Sequence, residues 1–184
     1  MLYLIGGAPR SGKSIIAHKL LELKEIPYFR TDYLVESYSK GTKELNINHQ
    51  TPNKADVFWP KLEPILEDIV YEEDQYLVEG DIILPHLVKK FISDTSESKK
   101  TKSCFLGYSS ITPGEKLKQI RNYGGSRNDW LQHTPDDKIL DFLRQAIDLS
   151  KEIEKECSKN GMKYFDTSIG FSPKIEEAIK FLIG

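Results

Sequence analysis

Apolar positions along the chain fall into short β-prone runs separated by stretches of helical spacing. Residues 2–6 (LYLIG), 27–30 (PYFR), 76–79 (YLVE), 103–108 (SCFLGY) and 162–165 (MKYF) predict five strands, most of them apolar throughout. That pattern is expected of strands covered on both faces. Between them, one helix is predicted from Lys13 through IIAHKLLELK and another over residues 55–72, where Pro60 and Pro64 predict a break or kink. Thr112-Pro113-Gly114-Glu115, Thr134-Pro135-Asp136-Asp137 and Ser172-Pro173 each place a capping side chain before proline and predict three later helix starts. The polar stretches 37–54 and 93–102 lack periodicity and read as surface loops. Alternation of strand and helix, with no internal repeat, predicts an α/β fold built on a parallel sheet.

Composition narrows the class. A chain of 184 residues with 39% apolar content accommodates one compact domain spanning 1–184. Its 26 basic and 28 acidic residues nearly cancel, which removes the basic field that specific or non-specific nucleic-acid binding would use. Cys104 and Cys157 are too far apart for a metal or redox motif and read as reduced thiols. His18, His49, His86 and His133 show no metal-ligand spacing. No run approaches the roughly 18 apolar residues of a membrane span, and the first residues lack a basic leader, so a cytoplasmic protein without membrane partners is expected.

The strongest chemical signal is Gly7-Ala8-Pro9-Arg10-Ser11-Gly12-Lys13-Ser14, which satisfies GxxxxGK[ST] between an apolar strand and an amphipathic helix. Glycines let such a loop wrap around phosphate oxygens with its N–H groups turned inward, and the helix N-terminus adds favourable partial charge. Lys13 is expected to reach the β- and γ-phosphates of a nucleoside triphosphate, and the Ser14 hydroxyl to ligate a bridging Mg²⁺. Asn53-Lys54-Ala55-Asp56 fits the guanine-reading NKxD pattern, but it follows a polar stretch instead of a buried strand, so it reads as a chance match. No apolar strand ends in the adjacent acidic pair of an ATPase motor.

With this loop, the Arg30-Thr31-Asp32 end of the second strand, the Leu77-Val78-Glu79-Gly80-Asp81 end of the third, and FLGY followed by a Lys/Arg-rich helix, the chain resembles the nucleoside and small-molecule kinases of the phosphate-binding-loop class. These include adenylate, shikimate and gluconate kinases and, more remotely, 2-phosphoglycerate kinase and zeta-toxin groups. The resemblance implies a three-layer fold with a five-stranded parallel sheet and a lid after strand four, here at about 112–132. It also implies ATP and Mg²⁺, with Asp32 as catalytic or metal-shell aspartate. Thr167 and Ser168, after the last strand, would border the adenine.

In an open parallel sheet ligands bind at the carboxyl ends of the strands, so Arg30, Asp32, Glu79 and Asp81 are expected to face the acceptor. Asp32 is the candidate base for a hydroxyl proton, or alternatively an N-cap for a helix starting near Tyr33. Glu79 and Asp81 would orient acceptor or metal, or else form a solvated strand end. Only five arginines occur, at 10, 30, 121, 127 and 144. The planar fork of Arg10, Arg121 and Arg127 suits phosphoryl oxygens, and Lys116, Lys118, Arg121 and Arg127 surround a Gly124-Gly125 hinge. Residues 31–78 contain no arginine, a departure from nucleoside monophosphate kinases that favours a hydroxylated, weakly charged or cationic acceptor, with Tyr33, Tyr38, Phe58 and Trp59 near its pocket. The expected activity is MgATP-dependent phosphoryl transfer to a small-molecule hydroxyl. A nucleotide-sensing binding protein and a nucleic-acid end kinase are the alternatives.

Overall fold

The computed structural model describes residues 1–41, 51–94, 100–122 and 130–184. Five strands, β1 (Leu2–Gly7), β2 (Tyr28–Arg30), β3 (Tyr76–Glu79), β4 (Thr101–Gly107) and β5 (Lys163–Asp166), form one parallel sheet in the order β2-β3-β1-β4-β5. Seven helices surround it: α1 (Lys13–Lys24), α2 (Thr31–Gly41), α3 (Thr51–Glu72), α4 (Pro85–Asp94), α5 (Pro113–Asn122), α6 (Asp136–Asn160) and α7 (Phe171–Ile183). A 3₁₀ turn, Trp130–His133, precedes α6.

Strand periodicity of two sorts the side chains into two cores. Leu2, Leu4, Val78 and Phe105 pack with Phe58, Leu62, Leu66, Phe91 and Ile153 of α3, α4 and α6. Tyr3, Ile5, Leu77, Cys104 and Leu106 pack with Ile16, Leu20, Ile175 and Ile179 of α1 and α7 on the other face. Central β1 is buried along its whole length, whereas edge strand β2 is half-exposed, because a neighbour covers it on one side only.

Several sequence expectations need correction. The stretch 37–54 is not one loop: α2 extends to Gly41 and α3 begins at Thr51. Likewise α4 reaches Asp94 and β4 starts at Thr101, so helix and strand enter the stretch 93–102 from both sides. Helix α3 is assigned continuously through Pro60 and Pro64. Each proline removes a helical hydrogen bond, and the loss is offset by burying Ala55, Phe58, Trp59, Leu62, Leu66 and Val70 at helical spacing. The capping box at Thr112 forms as expected, with Thr112 N donating to Glu115 Oε2 at 3.0 Å and Glu115 N to Thr112 Oγ1 at 3.3 Å. The other two predicted caps do not. Pro135 precedes α6 without a side-chain cap, leaving Asp136 and Asp137 to meet the helix dipole. Gly170, at φ 67°, begins α7, so Ser172 and Pro173 occupy its first turn, where proline's missing N–H costs nothing.

Candidate nucleotide and acceptor site

The phosphate loop is built by backbone that only certain residues can adopt. Gly7 has φ 134°, and a Cβ there would stand 2.0 Å from the Leu106 carbonyl oxygen. Gly12 has φ 108°, and its Cβ would meet Ile175 at 2.6 Å. Arg10 adopts φ 63°, a left-handed conformation that is uncommon for a non-glycine residue. Ala8 N donates to Leu106 O at 3.0 Å, Tyr108 Oη to Pro9 O at 2.7 Å, and Thr167 Oγ1 to Gly107 O at 2.9 Å. The loop is therefore braced from the ends of β4 and β5. Lys13 folds over it, donating to Gly7 O at 3.0 Å and Ala8 O at 2.9 Å, which fixes the ammonium at the loop's centre.

Parallel register brings the acceptor-side residues to the same sheet edge. Arg30 at the end of β2 is the lateral partner of Glu79 at the end of β3, which is in turn beside Ile5 of β1. Ser14 Oγ donates to Glu79 Oε1 at 2.7 Å; Arg30 Nε lies 3.3 Å from that same oxygen, and Arg30 Nη2 donates to Asp32 Oδ2 at 3.0 Å. Glu79 is 3% exposed. Burial would lower the Arg30 pKa, but the Glu79 and Asp32 carboxylates outweigh it and raise the pKa. Asp32 lies in the first turn of α2, which begins at Thr31, and its carboxylate is paired with Arg30. Helix α2 thus starts before the point assumed in the N-cap alternative. Asp81 pairs with Lys54 of α3 at 2.7 Å, both side chains being largely buried. The NKxD match lies within α3, with Ala55 in the core, as fits a chance match.

On the opposite side of the loop, Lys116 of α5 is 3% exposed, with Nζ 4.1 Å from the Tyr108 ring centroid and 5.7 Å from that of Phe171. Desolvation lowers its pKa to about 8; Asp166 pulls it upward, and Arg10 pushes it further down. Burial would raise the Asp166 carboxyl, but hydrogen bonds from Ser168, Ser110 and Ser109 hold it below the ordinary carboxylate range. Thr167 is fully buried and Ser168 Oγ accepts from Ser110 N, so both side chains brace this edge. A face of Thr167 open to an adenine is not part of this arrangement. Arg121 donates to Leu131 O, Thr134 O and Asp136 Oδ1, a clasp between α5 and the start of α6. Arg127 and the Gly124-Gly125 hinge lie outside the described residues, as does His49. His86 pairs with Glu156 at an exposed position.

Sequence reasoning named Lys54 only as part of a chance motif and Lys116 only as one lid cation among several. Lys54 is 27 positions from Asp81, a separation that leaves no local signal. Among the described residues, no three His, Cys, Asp or Glu side chains gather as a metal cage, and no helix is long and apolar enough to cross a membrane.

The sequence matches no protein-family model and no curated protein. Its fold is similar to that of solved small-molecule kinases. A shikimate kinase from Bacteroides thetaiotaomicron superposes with TM-score 0.55 at 14% identity, covering 98% of this chain and 94% of that one. A shikimate kinase from Acinetobacter baumannii in complex with shikimate gives 0.54 at 15%, covering 97% and 90%. A gluconokinase from Sinorhizobium meliloti 1021 gives 0.52 at 16%, covering 98% and 90%.

Proposed function

We propose that this chain, which has the fold of phosphate-loop small-molecule kinases, transfers the terminal phosphoryl group of ATP to a hydroxyl group of a small molecule. The observation that carries this reading is the row of contacts Ser14, Glu79, Arg30, Asp32, hydrogen bonds at its ends and an ion pair in its middle, which links the phosphate loop to a carboxylate at the carboxyl edge of the sheet. In the step proposed, the acceptor oxygen bonds to the γ-phosphorus while its proton passes to Asp32. The bond from that phosphorus to the β,γ-bridging oxygen breaks, and ADP leaves. Lys13 and the inward N–H groups of the loop stabilise charge on the phosphate oxygens.

The hydroxyl of Ser14 and the carboxylate of Glu79 are hard oxygen donors suited to Mg²⁺, and in this reading Glu79 would act on it through water. When bound, Mg²⁺ neutralises the polyphosphate. Cys104 and Cys157, both free and buried, support the cytoplasmic placement that goes with this reading.

Incubation with ATP and a broad acceptor panel, following ADP, tests the proposal. Acceptor-dependent ADP release is expected, and Asp32→Asn should lower turnover by about 10²–10⁴ with ATP affinity nearly unchanged. ATP binding without ADP release for any acceptor would favour a nucleotide-sensing protein instead.

A further inference from the structure

The described parts of the acceptor wall, residues 30–41 and 51–81, carry only four cations: Arg30, Lys40, Lys54 and Lys61. Each is already engaged. Arg30 spans Asp32 and Glu79. Lys54 holds Asp81 at 2.7 Å, and Lys40 holds Glu36 at 2.8 Å. Lys61 donates to Val57 O with the Tyr38 and Phe58 rings 5.1 and 5.9 Å from its ammonium. Among these described residues, a carboxylated or phosphorylated acceptor that drew on Arg30, Lys40 or Lys54 would take a cation from its carboxylate and leave that carboxylate unpaired, most costly at the largely buried Asp81.

Arg30 with Asp32, inside that row of contacts, and Lys54 with Asp81 each set hydrogen-bond donors beside an acceptor, and Arg30 is already shared with a second carboxylate, Glu79. Neighbouring hydroxyl groups match this pattern, because a hydroxyl donates to the carboxylate and accepts from the cation at once. We infer that the phosphoryl acceptor is an uncharged, hydroxyl-rich compound of the sugar or polyol class, and that the Lys54–Asp81 pair selects it against the corresponding acids and phosphates. This rests on the phosphotransfer reading above and adds the acceptor class to it. Selection works by repulsion as much as attraction, since Asp81 opposes an incoming anion.

The test uses matched sets of one carbon skeleton as the neutral sugar or polyol, its aldonic acid and its phosphate, with ADP release and thermal shift in the presence of a non-hydrolysable ATP analogue as separate readouts. The neutral members should exceed their acids and phosphates in kcat/KM by about 100-fold or more. Asp81→Asn releases Lys54 from its charged partner and should narrow that ratio at least tenfold. Lys54→Met removes the positive partner from Asp81 and should widen it, so two variants move in opposite directions. Preferential turnover of acids or phosphates, or a ratio unmoved in both folded variants, overturns the acceptor class and leaves phosphotransfer intact. No turnover of any compound, with nucleotide still bound, overturns both.

Discussion

Replacing Glu79 by glutamine keeps the side chain's shape and one carbonyl oxygen while removing the charge that Ser14 and Arg30 share. At the 3.3 Å separation from Arg30 and an effective dielectric of about 20, the attraction between unit charges is about 5 kcal/mol before desolvation. Most of that does not appear as net stability. Arg30 keeps Asp32 at 3.0 Å, its side chain is 35% exposed, and Ser14 retains an oxygen to donate to. The expected loss is that of one charge-assisted hydrogen bond, about 1.5–3 kcal/mol, or roughly 5–10 °C in Tm for a domain of this size. Function should suffer differently. If Glu79 acts on Mg²⁺ through water, the Mg²⁺ concentration giving half-maximal stabilisation by ATP should rise about 10–100-fold and turnover should fall comparably. Scanning fluorimetry across a Mg²⁺ titration, with and without ATP, reads both effects in one experiment. A Mg²⁺ midpoint within twofold of the parent protein would refute the metal-shell role.

Lys13→Ala should weaken ATP binding about 10²-fold by calorimetry, since its charge-assisted contacts are made in the ground state as well as during transfer; unaltered affinity would contradict the phosphate-loop reading. Tyr108→Phe deletes the bond to Pro9 O while keeping the ring beneath Lys116, so Tm should fall by about 2–4 °C and ATP affinity by less than tenfold. The Lys116 prediction concerns pH. Its folded pKa of about 8 lies below the ordinary value of 10.5, so between those values the unfolded chain binds more protons and stability attributable to this group rises with pH. Urea melts of the parent and Lys116→Met should show their stability difference shifting by about 1 kcal/mol in favour of the parent between pH 8 and pH 9, and a pH-independent difference would refute it.

The phosphate-loop half of the candidate site was legible because its pattern is local in sequence. Gly7 through Ser14 must be contiguous to wrap one polyphosphate, so motif and geometry coincide. Strand identity was legible for a similar reason, since each run is short, apolar and bounded. Boundaries were missed where side-chain and backbone capping compete: Ser172 is a good capping residue, but Gly170 tolerates a left-handed turn that Ser172 does not, and the helix begins earlier. The acceptor side was only half legible. Asp32, Glu79 and Asp81 follow from their places at strand ends, yet Lys54 reaches Asp81 from the start of a helix whose tertiary placement no pattern encodes. Lys116 shows the same limit, because polar helix α5 gives no sign that one of its lysines is sealed against the Tyr108 and Phe171 rings.

The bracing of the phosphate loop by Leu106, Gly107, Tyr108 and Thr167 has a consequence for how such a protein changes over time. Bonds to its own and neighbouring carbonyls, together with close packing at Gly7 and Gly12, hold this loop, and few single substitutions reshape it gently. The proposed acceptor wall is instead held by salt links between side chains, Arg30 with Asp32 and Lys54 with Asp81, away from the loop's own contacts. Drift and laboratory selection should therefore retarget the acceptor readily while the energy donor stays the same.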